Sequence, residues 1–215
     1  MSKNEVFSKV FRWMSFGFLI TFITGYIIST TNDLLDLLFS NGLYWLFIIG
    51  EFVLVISLSA LIHKIKETTA GLLFMLYSFV SGVSLSSIFI IYDVPSLIYC
   101  FLITTIVFLT LSFFGKSTKF DLTKISTYLY VGLFAIIITS IFNMFIGNAL
   151  LDTILSIVLV ILFCGMTAYD IQKIDRNHNL VTANGSYAIL FALELYLDFI
   201  NIFINLLNLL GKSRD

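Results

Sequence analysis

The sequence specifies an all-α membrane protein, a bundle of seven transmembrane helices. Three observations lead there. The 215-residue chain is 59% hydrophobic and only 12% charged, with a mean hydropathy of +1.03, whereas an ordinary soluble domain carries about a quarter charged residues. The charges are confined to short stretches between apolar runs of about 17–25 residues, the length needed to span a bilayer. Finally, basic and acidic residues sort into alternate connections, as the two faces of a membrane require.

The apolar runs are Phe11–Ser29, Leu43–Ile62, Ala70–Tyr92, Ser96–Phe114, Ile125–Phe145, Thr153–Ile171 and Tyr187–Leu210. The first follows a charged stretch, as a signal peptide would. It is longer than a signal-peptide core and lacks a small-residue cleavage site, so it reads as a retained helix. Glu51 lies in the middle of the second run beside Gly50, a pairing that would admit a close helix neighbour. The single proline, Pro95, stands where it can open the fourth helix at little cost. Cys100 and Cys164 each fall inside an apolar run and read as buried free thiols. Connections of at most about fifteen residues leave no room for a soluble domain, so residues 1–215 form one membrane domain.

Lys3, Lys9 and Arg12 precede the first run; Lys64 and Lys66 follow the second, Lys116, Lys119 and Lys124 the fourth, and Lys173 and Arg176 the sixth. The other three connections hold Asp33, Asp36, Asp93 and Asp152, without lysine or arginine. The positive-inside rule then puts the N-terminus in the cytoplasm. Lys212 and Arg214 leave two options for the seventh run, a full crossing or a re-entrant helix. With a net charge of −1 and no basic patch, nucleic acid is not an expected partner.

Four carboxylates lie in or beside apolar runs: Glu51, Asp170, Glu194 and Asp198. An acid at the bilayer centre costs about 2.5–3.5 kcal/mol even on the lenient insertion scale, so such residues face protein or water and pair or protonate. For Glu51 the alternatives are a protonated carboxyl bonded to a hydroxyl or backbone group, and a lining of an ion path. Asp170 has Lys173 three residues on, the spacing of an interfacial helix pair. Glu194 and Asp198 are one helical turn, about 6 Å, apart, so two full charges would repel in a dry interior. Either one takes a proton, or a cation or water shares the site. Asn201, Asn205 and Asn208 continue that stripe, either as interhelical hydrogen-bond partners or as oxygen ligands for a hard cation. The pattern describes a buried polar seventh helix surrounded by the other six.

Several stretches resemble the transmembrane Bax inhibitor motif family. "LYLDFINIFINLL" (195–207) is similar to its C-terminal signature and "TAYDIQKI" (167–174) to its Y-D-x-Q motif. "YSFVSGVSLSSIFIIY" (77–92) and "VFRWMSFGFLIT" (10–21) resemble its third and first helices, and Glu51 falls where members often carry an acid. The compact chain suggests a bacterial member, in the plasma membrane. The resemblance implies seven helices with the last one central and wrapped by the other six. It also implies a pH-sensitive calcium leak whose sensor is an aspartate pair, here Asp170 and Asp198 by residue match. Two aspartates sharing a proton respond near neutral pH, which isolated ones cannot.

The same resemblance makes Glu51, Glu194, Asn201 and Asn205 candidates for the ion path, and Asp170, Asp198 and Glu194 a possible calcium site. Some relatives pair the first aspartate with an arginine after the second helix. The corresponding stretch here, "LIHKIKETTAG", has none, and His63, Lys64 and Lys66 are the candidate substitutes. The expected partners are the bilayer, calcium ions, protons and another membrane protein, with no cofactor; calcium is the transported ion. Two readings compete with the leak: a proton-coupled cation transporter, and a non-enzymatic protein that regulates another membrane protein such as a protease. No H-E-x-x-H or G-x-S-x-G motif occurs, so no enzyme is expected. No lysine lies inside an apolar run, which removes a retinal protein.

Overall fold

The computed structural model describes residues 1–40 and 42–214. Among these are nine α-helices: α1 (Lys3–Thr30), α2 (Asn32–Ser40), α3 (Leu43–Leu61), α4 (Glu67–Ile91), α5 (Val94–Ser117), α6 (Thr123–Ile146), α7 (Ala149–Arg176), α8 (His178–Ala183) and α9 (Ser186–Leu210). All but α2 and α8 are long and apolar enough to cross a membrane. The molecule is a helical membrane protein.

Each of the seven expected runs is a helix, and most of the helices outrun their apolar cores. Thus α1 begins at Lys3 instead of Phe11, and α7 ends at Arg176 instead of Ile171. Local capping explains the first extension. Ser2 Oγ accepts the Glu5 N–H at 3.3 Å while Glu5 Oε2 accepts the Ser2 N–H at 2.7 Å, a capping box that starts the helix before any apolar residue. The short helix α2 was not legible as a separate element. Its Leu34, Leu35 and Leu38 pack against Ile28, Val83 and Phe47, and Asp33 and Asp36 stay exposed.

The chain divides into two compact units by its internal contacts. The first holds residues 1–93 and 177–196 with the tail from Ser213; the second holds 94–176 and 197–212. Helix α9 therefore contributes its first half, through Tyr196, to one unit and its second half, from Leu197, to the other.

In the first unit α1 and α4 meet along small residues. Gly17, Thr21 and Gly25 recur every fourth residue on α1, as Ser78, Gly82 and Ser86 do on α4. A Cβ added at Gly82 would lie 2.6 Å from the Thr21 carbonyl oxygen, so the two backbones touch there. Gly50 plays no such part: its added Cβ would meet only Val80, at an ordinary 3.9 Å. At one end of α4 the Ser186 hydroxyl opens α9 by donating to the Ile65 carbonyl at 2.8 Å. At the other end the Arg214 N–H donates to the Ile91 carbonyl at 2.8 Å, and Ser213 pairs with Tyr92 in an antiparallel bridge. Helix α4 has 25 residues, about 37 Å at 1.5 Å each. Helix α9 thus travels the full length of α4. Arg214 therefore lies at the Asp93 end of α4.

In the second unit Gly115 of α5 lies against the backbone of Ala168 on α7, and a Cβ there would overlap the Ala168 carbonyl oxygen. Ile136 of α6, Leu155, Leu162, Phe163 and Met166 of α7 and Ile202 of α9 form the apolar core. Phe199 packs edge-to-face on Phe101 and Phe108, with ring centres 5.4 and 5.6 Å away. Gly147, at φ 69°, closes α6 in the left-handed conformation that favours glycine.

Burial separates interior helices from lipid-facing ones. Of the most apolar stretch of each, 67% is buried in α9 and 61% in α4, but only 6% in α3. Trp45, Leu46, Phe52 and Ile56 on α3 are exposed, a surface that only lipid can accommodate at this density.

Candidate functional site

Asp170 and Asp198 both belong to the second unit, on α7 and α9, and each is 2% exposed. Asp170 Oδ1 lies 4.0 Å from Lys173 Nζ, so the i,i+3 pairing legible in the sequence is formed at its outer limit. The turn that carries Asp170 is anchored just beyond it. Gln172 Oε1 accepts the Leu122 N–H at 2.9 Å, and its Nε2 donates to the Phe120 carbonyl at 2.9 Å. One turn later the Arg176 guanidinium donates to Asp121 Oδ1, and to Thr123 Oγ1 at 2.9 Å. The Arg176 hydrogen bond, helped by the Thr123 N–H, holds the Asp121 carboxyl below the usual aspartate range.

On α9, Asp198 lies within electrostatic reach of Cys164 on α7. Cys100 is buried and Cys164 half-buried, and both are free thiols. The amides that follow Asp198 bond within their own helix. Asn201 Nδ2 donates to the Leu197 carbonyl and Asn205 Nδ2 to the Asn201 carbonyl, both at 2.8 Å. Neither of these bonds crosses to another helix. Each uses one of the two N–H groups of its amide, so the second N–H and the amide oxygen remain for other partners. Asn205 is buried, Asn201 half-buried and Asn208 exposed, so the polar stripe is interior for only part of its length.

The remaining site residues belong to the first unit. Half-buried Glu51 lies within electrostatic reach of Ser81 and Ser84 on α4. Ser81 also lies 3.1 Å from the Tyr196 hydroxyl, and that hydroxyl is 2.7 Å from Thr21 Oγ1. Tyr196 is fully buried, stacked on Phe18 and edge-on to Phe74 and Tyr77. Glu194 is half-buried on α9. His63, a candidate substitute for the helix-two arginine, is engaged by Tyr187: its Nδ1 shares a hydrogen bond with the Tyr187 hydroxyl. Lys64 and Lys66 are exposed and make no ion pair among the described residues, whereas Lys9 of α1 lies 2.8 Å from Glu67.

Among the described residues no three His, Cys, Asp or Glu side chains gather closely enough to hold a metal ion. Sequence reasoning assigned no role to Gln172, Tyr196, Thr21 or Ser81. The signal for the last three was available: Ser78, Ser81, Ser84 and Ser87 recur every third residue in an otherwise apolar run, which implies a polar partner on a neighbouring helix.

Seven apolar helices with carboxyls, amides and a bonded tyrosine inside them define a polytopic membrane protein with titratable groups in its interior. The chain belongs to the Bax inhibitor family: the family model described as inhibitor of apoptosis-promoting Bax1 matches residues 3–215. It is 41% identical over 218 residues to an uncharacterised protein of Borreliella burgdorferi, covering 99% of this chain and 94% of that one. It is 37% identical over 213 residues to the inner membrane protein YbhL of Escherichia coli K12, covering 96% and 91%. An uncharacterised membrane protein of Streptococcus pyogenes serotype M1 is 30% identical over 216 residues, covering 98% and 93%.

Proposed function

We propose that the protein is a pH-sensitive calcium leak channel, gated by a proton shared between Asp170 and Asp198. The observation that carries this reading is the burial of two carboxyls, each 2% exposed, on α7 and α9 of one compact unit. Two charged carboxylates in such surroundings are too costly, so one proton is retained between them. Its loss leaves two like charges whose repulsion loosens α7 from α9; its return restores the latch. Asp198 is followed on α9 by the acceptor oxygens of Asn201 and Asn205, suited to a hard cation that leaves as readily as it enters. The protein acts without catalysis and without a cofactor.

Each crossing helix is continuous, without the mid-membrane breaks that mark many secondary transporters, which supports a leak over proton-coupled transport. The charge sorting supports a cytoplasmic N-terminus. Membership of the family of an E. coli inner membrane protein supports a bacterial plasma-membrane location.

The test is calcium flux into proteoliposomes between pH 5 and 8, comparing wild type with Asp170→Asn and Asp198→Asn. The expected result is downhill flux in wild type and an altered pH profile in both variants. Flux with an unchanged profile in both variants would sink the aspartate gate. Absence of flux in wild type would overturn the leak and favour regulation of another membrane protein, such as a protease.

A further inference from the structure

Arg12 is a full charge on the outward side of α1, and no carboxylate among the described residues pairs with it. Arg12, Phe16, Leu19 and Ile23 follow one another at spacings of four, three and four, so one face of α1 carries them, and all four are exposed. From Arg12 to Ile23 the helix rises about 16 Å, close to the thickness of one hydrocarbon leaflet. A guanidinium at the head of an apolar stripe of that length matches a phospholipid, with the charge at the headgroup and the stripe along an acyl chain.

Local packing explains why the charge is left over. Trp13, the next residue, turns into the α1–α4 seam, where its ring fills the space a side chain at Gly71 would need: an added Cβ would lie 2.6 Å from it. Arg12, about 100° away around the helix, stays on the outer side. The acids at this end of α1 and α4 are engaged elsewhere. Glu5, two turns earlier on the same face, accepts the Ser2 N–H at 2.7 Å in the capping box, and Glu67 takes Lys9 at 2.8 Å. Lys64 and Lys66, in the connection that leads into α4, are exposed and likewise without an ion pair among the described residues.

The guanidinium itself is largely uncommitted. Its Nε donates to the Ser8 carbonyl at 3.3 Å. That leaves the four N–H groups of the two terminal nitrogens, the fork that grips a phosphate through two parallel bonds.

We propose that Arg12 and the stripe of Phe16, Leu19 and Ile23 form a binding site for an anionic phospholipid, with the guanidinium on the phosphodiester. Lys64 and Lys66 add positive charge at the same end of the α1–α4 pair, which favours a headgroup of net negative charge over a zwitterionic one. The site is separate from the aspartates, and the inference stands whether or not the protein conducts calcium.

The experiment is native mass spectrometry of the full chain in detergent, titrated separately with phosphatidylglycerol, phosphatidylcholine and inorganic phosphate. Phosphatidylglycerol should bind more tightly than phosphatidylcholine, and Arg12→Gln should weaken its binding about tenfold, as loss of a charge-assisted contact does. Arg12 is exposed, so this variant keeps the fold. Lys119→Gln removes an exposed cation of the other compact unit and should leave the affinity unchanged. The proposal is overturned if the two lipids bind alike or if Arg12→Gln binds as wild type does. It is also overturned if Lys119→Gln weakens binding as much as Arg12→Gln, which would mean a general surface-charge effect. Inorganic phosphate binding as tightly as phosphatidylglycerol would overturn it too, since the site would then serve a free anion and not a lipid.

Discussion

Gln172 holds Leu122 through one end of its amide and Phe120 through the other, so a single side chain on α7 fastens the connection between α5 and α6. Both bonds are to backbone, and Leu122 is buried, so water cannot easily replace them. Gln172→Leu should lower the stability of the detergent-solubilised protein by about 1–3 kcal/mol, read as a fall in thermal midpoint. Gln172→Glu should also lower it, because a carboxylate accepts from Leu122 but repels the Phe120 carbonyl. An unchanged midpoint in both variants would mean the connection is held by other contacts.

Asp121 and Arg176 should contribute stability with a definite pH sign. The carboxyl is held below its ordinary value of 3.8 by Arg176, so the pair is fully formed above that value and is lost as pH falls through the depressed one. The depressed Asp121 carboxyl does not titrate between pH 5 and 8. Asp121→Asn should therefore leave the shape of a pH–flux profile over that range unchanged while removing some acid-limb stability. A shift of the neutral-pH midpoint in that variant would place part of the pH response at this loop.

Gly115 and Gly50 should respond in opposite ways to one added methyl. Gly115→Ala drives a Cβ into the Ala168 carbonyl oxygen, two residues from Asp170, and no side-chain rotation relieves it. A loss of about 1–3 kcal/mol is expected, with reduced or deregulated flux. Gly50→Ala finds Val80 at 3.9 Å and should be near neutral despite standing beside Glu51. Equal thermal midpoints for the two variants would contradict the packing.

The full crossing of α9 is checked by accessibility. In a background without Cys100 and Cys164, cysteines at Ser213 and Asp33 should be labelled by an impermeant reagent from one side of the membrane. A cysteine at His63 should be labelled only from the other. Labelling of Ser213 and His63 positions from the same side would rule out the crossing.

Much of this was readable in the chain because lipid simplifies the problem. Apolar length alone located all seven crossing helices, and charge placement separated the ends of the first unit: Lys9, Lys64 and Lys66 at one end of α4, Asp93 at the other. What escaped notice depends on direction, not composition. Asn201 and Asn205 occupy the same stripe whether they bond across helices or along their own, and only side-chain orientation chooses. His63 looked like a partner for a distant aspartate, yet Tyr187 engages it, a contact between residues 124 positions apart that no local pattern encodes. The short helix α2 carries too few residues to stand out, and its leucines acquire a face only once α1, α3 and α4 are in place.

The two ties between α4 and the last stretch of the chain limit how the molecule moves. Ser186 is fastened beside the first turn of α4 and Arg214 beside its last. A rod pinned at both ends to the same strut cannot slide like a piston, since any axial step breaks one pin or the other. Twisting about its own axis by a whole residue would likewise swing the off-axis Ser186 hydroxyl away from the Ile65 carbonyl. The two ends of this stretch are thereby held in register with α4.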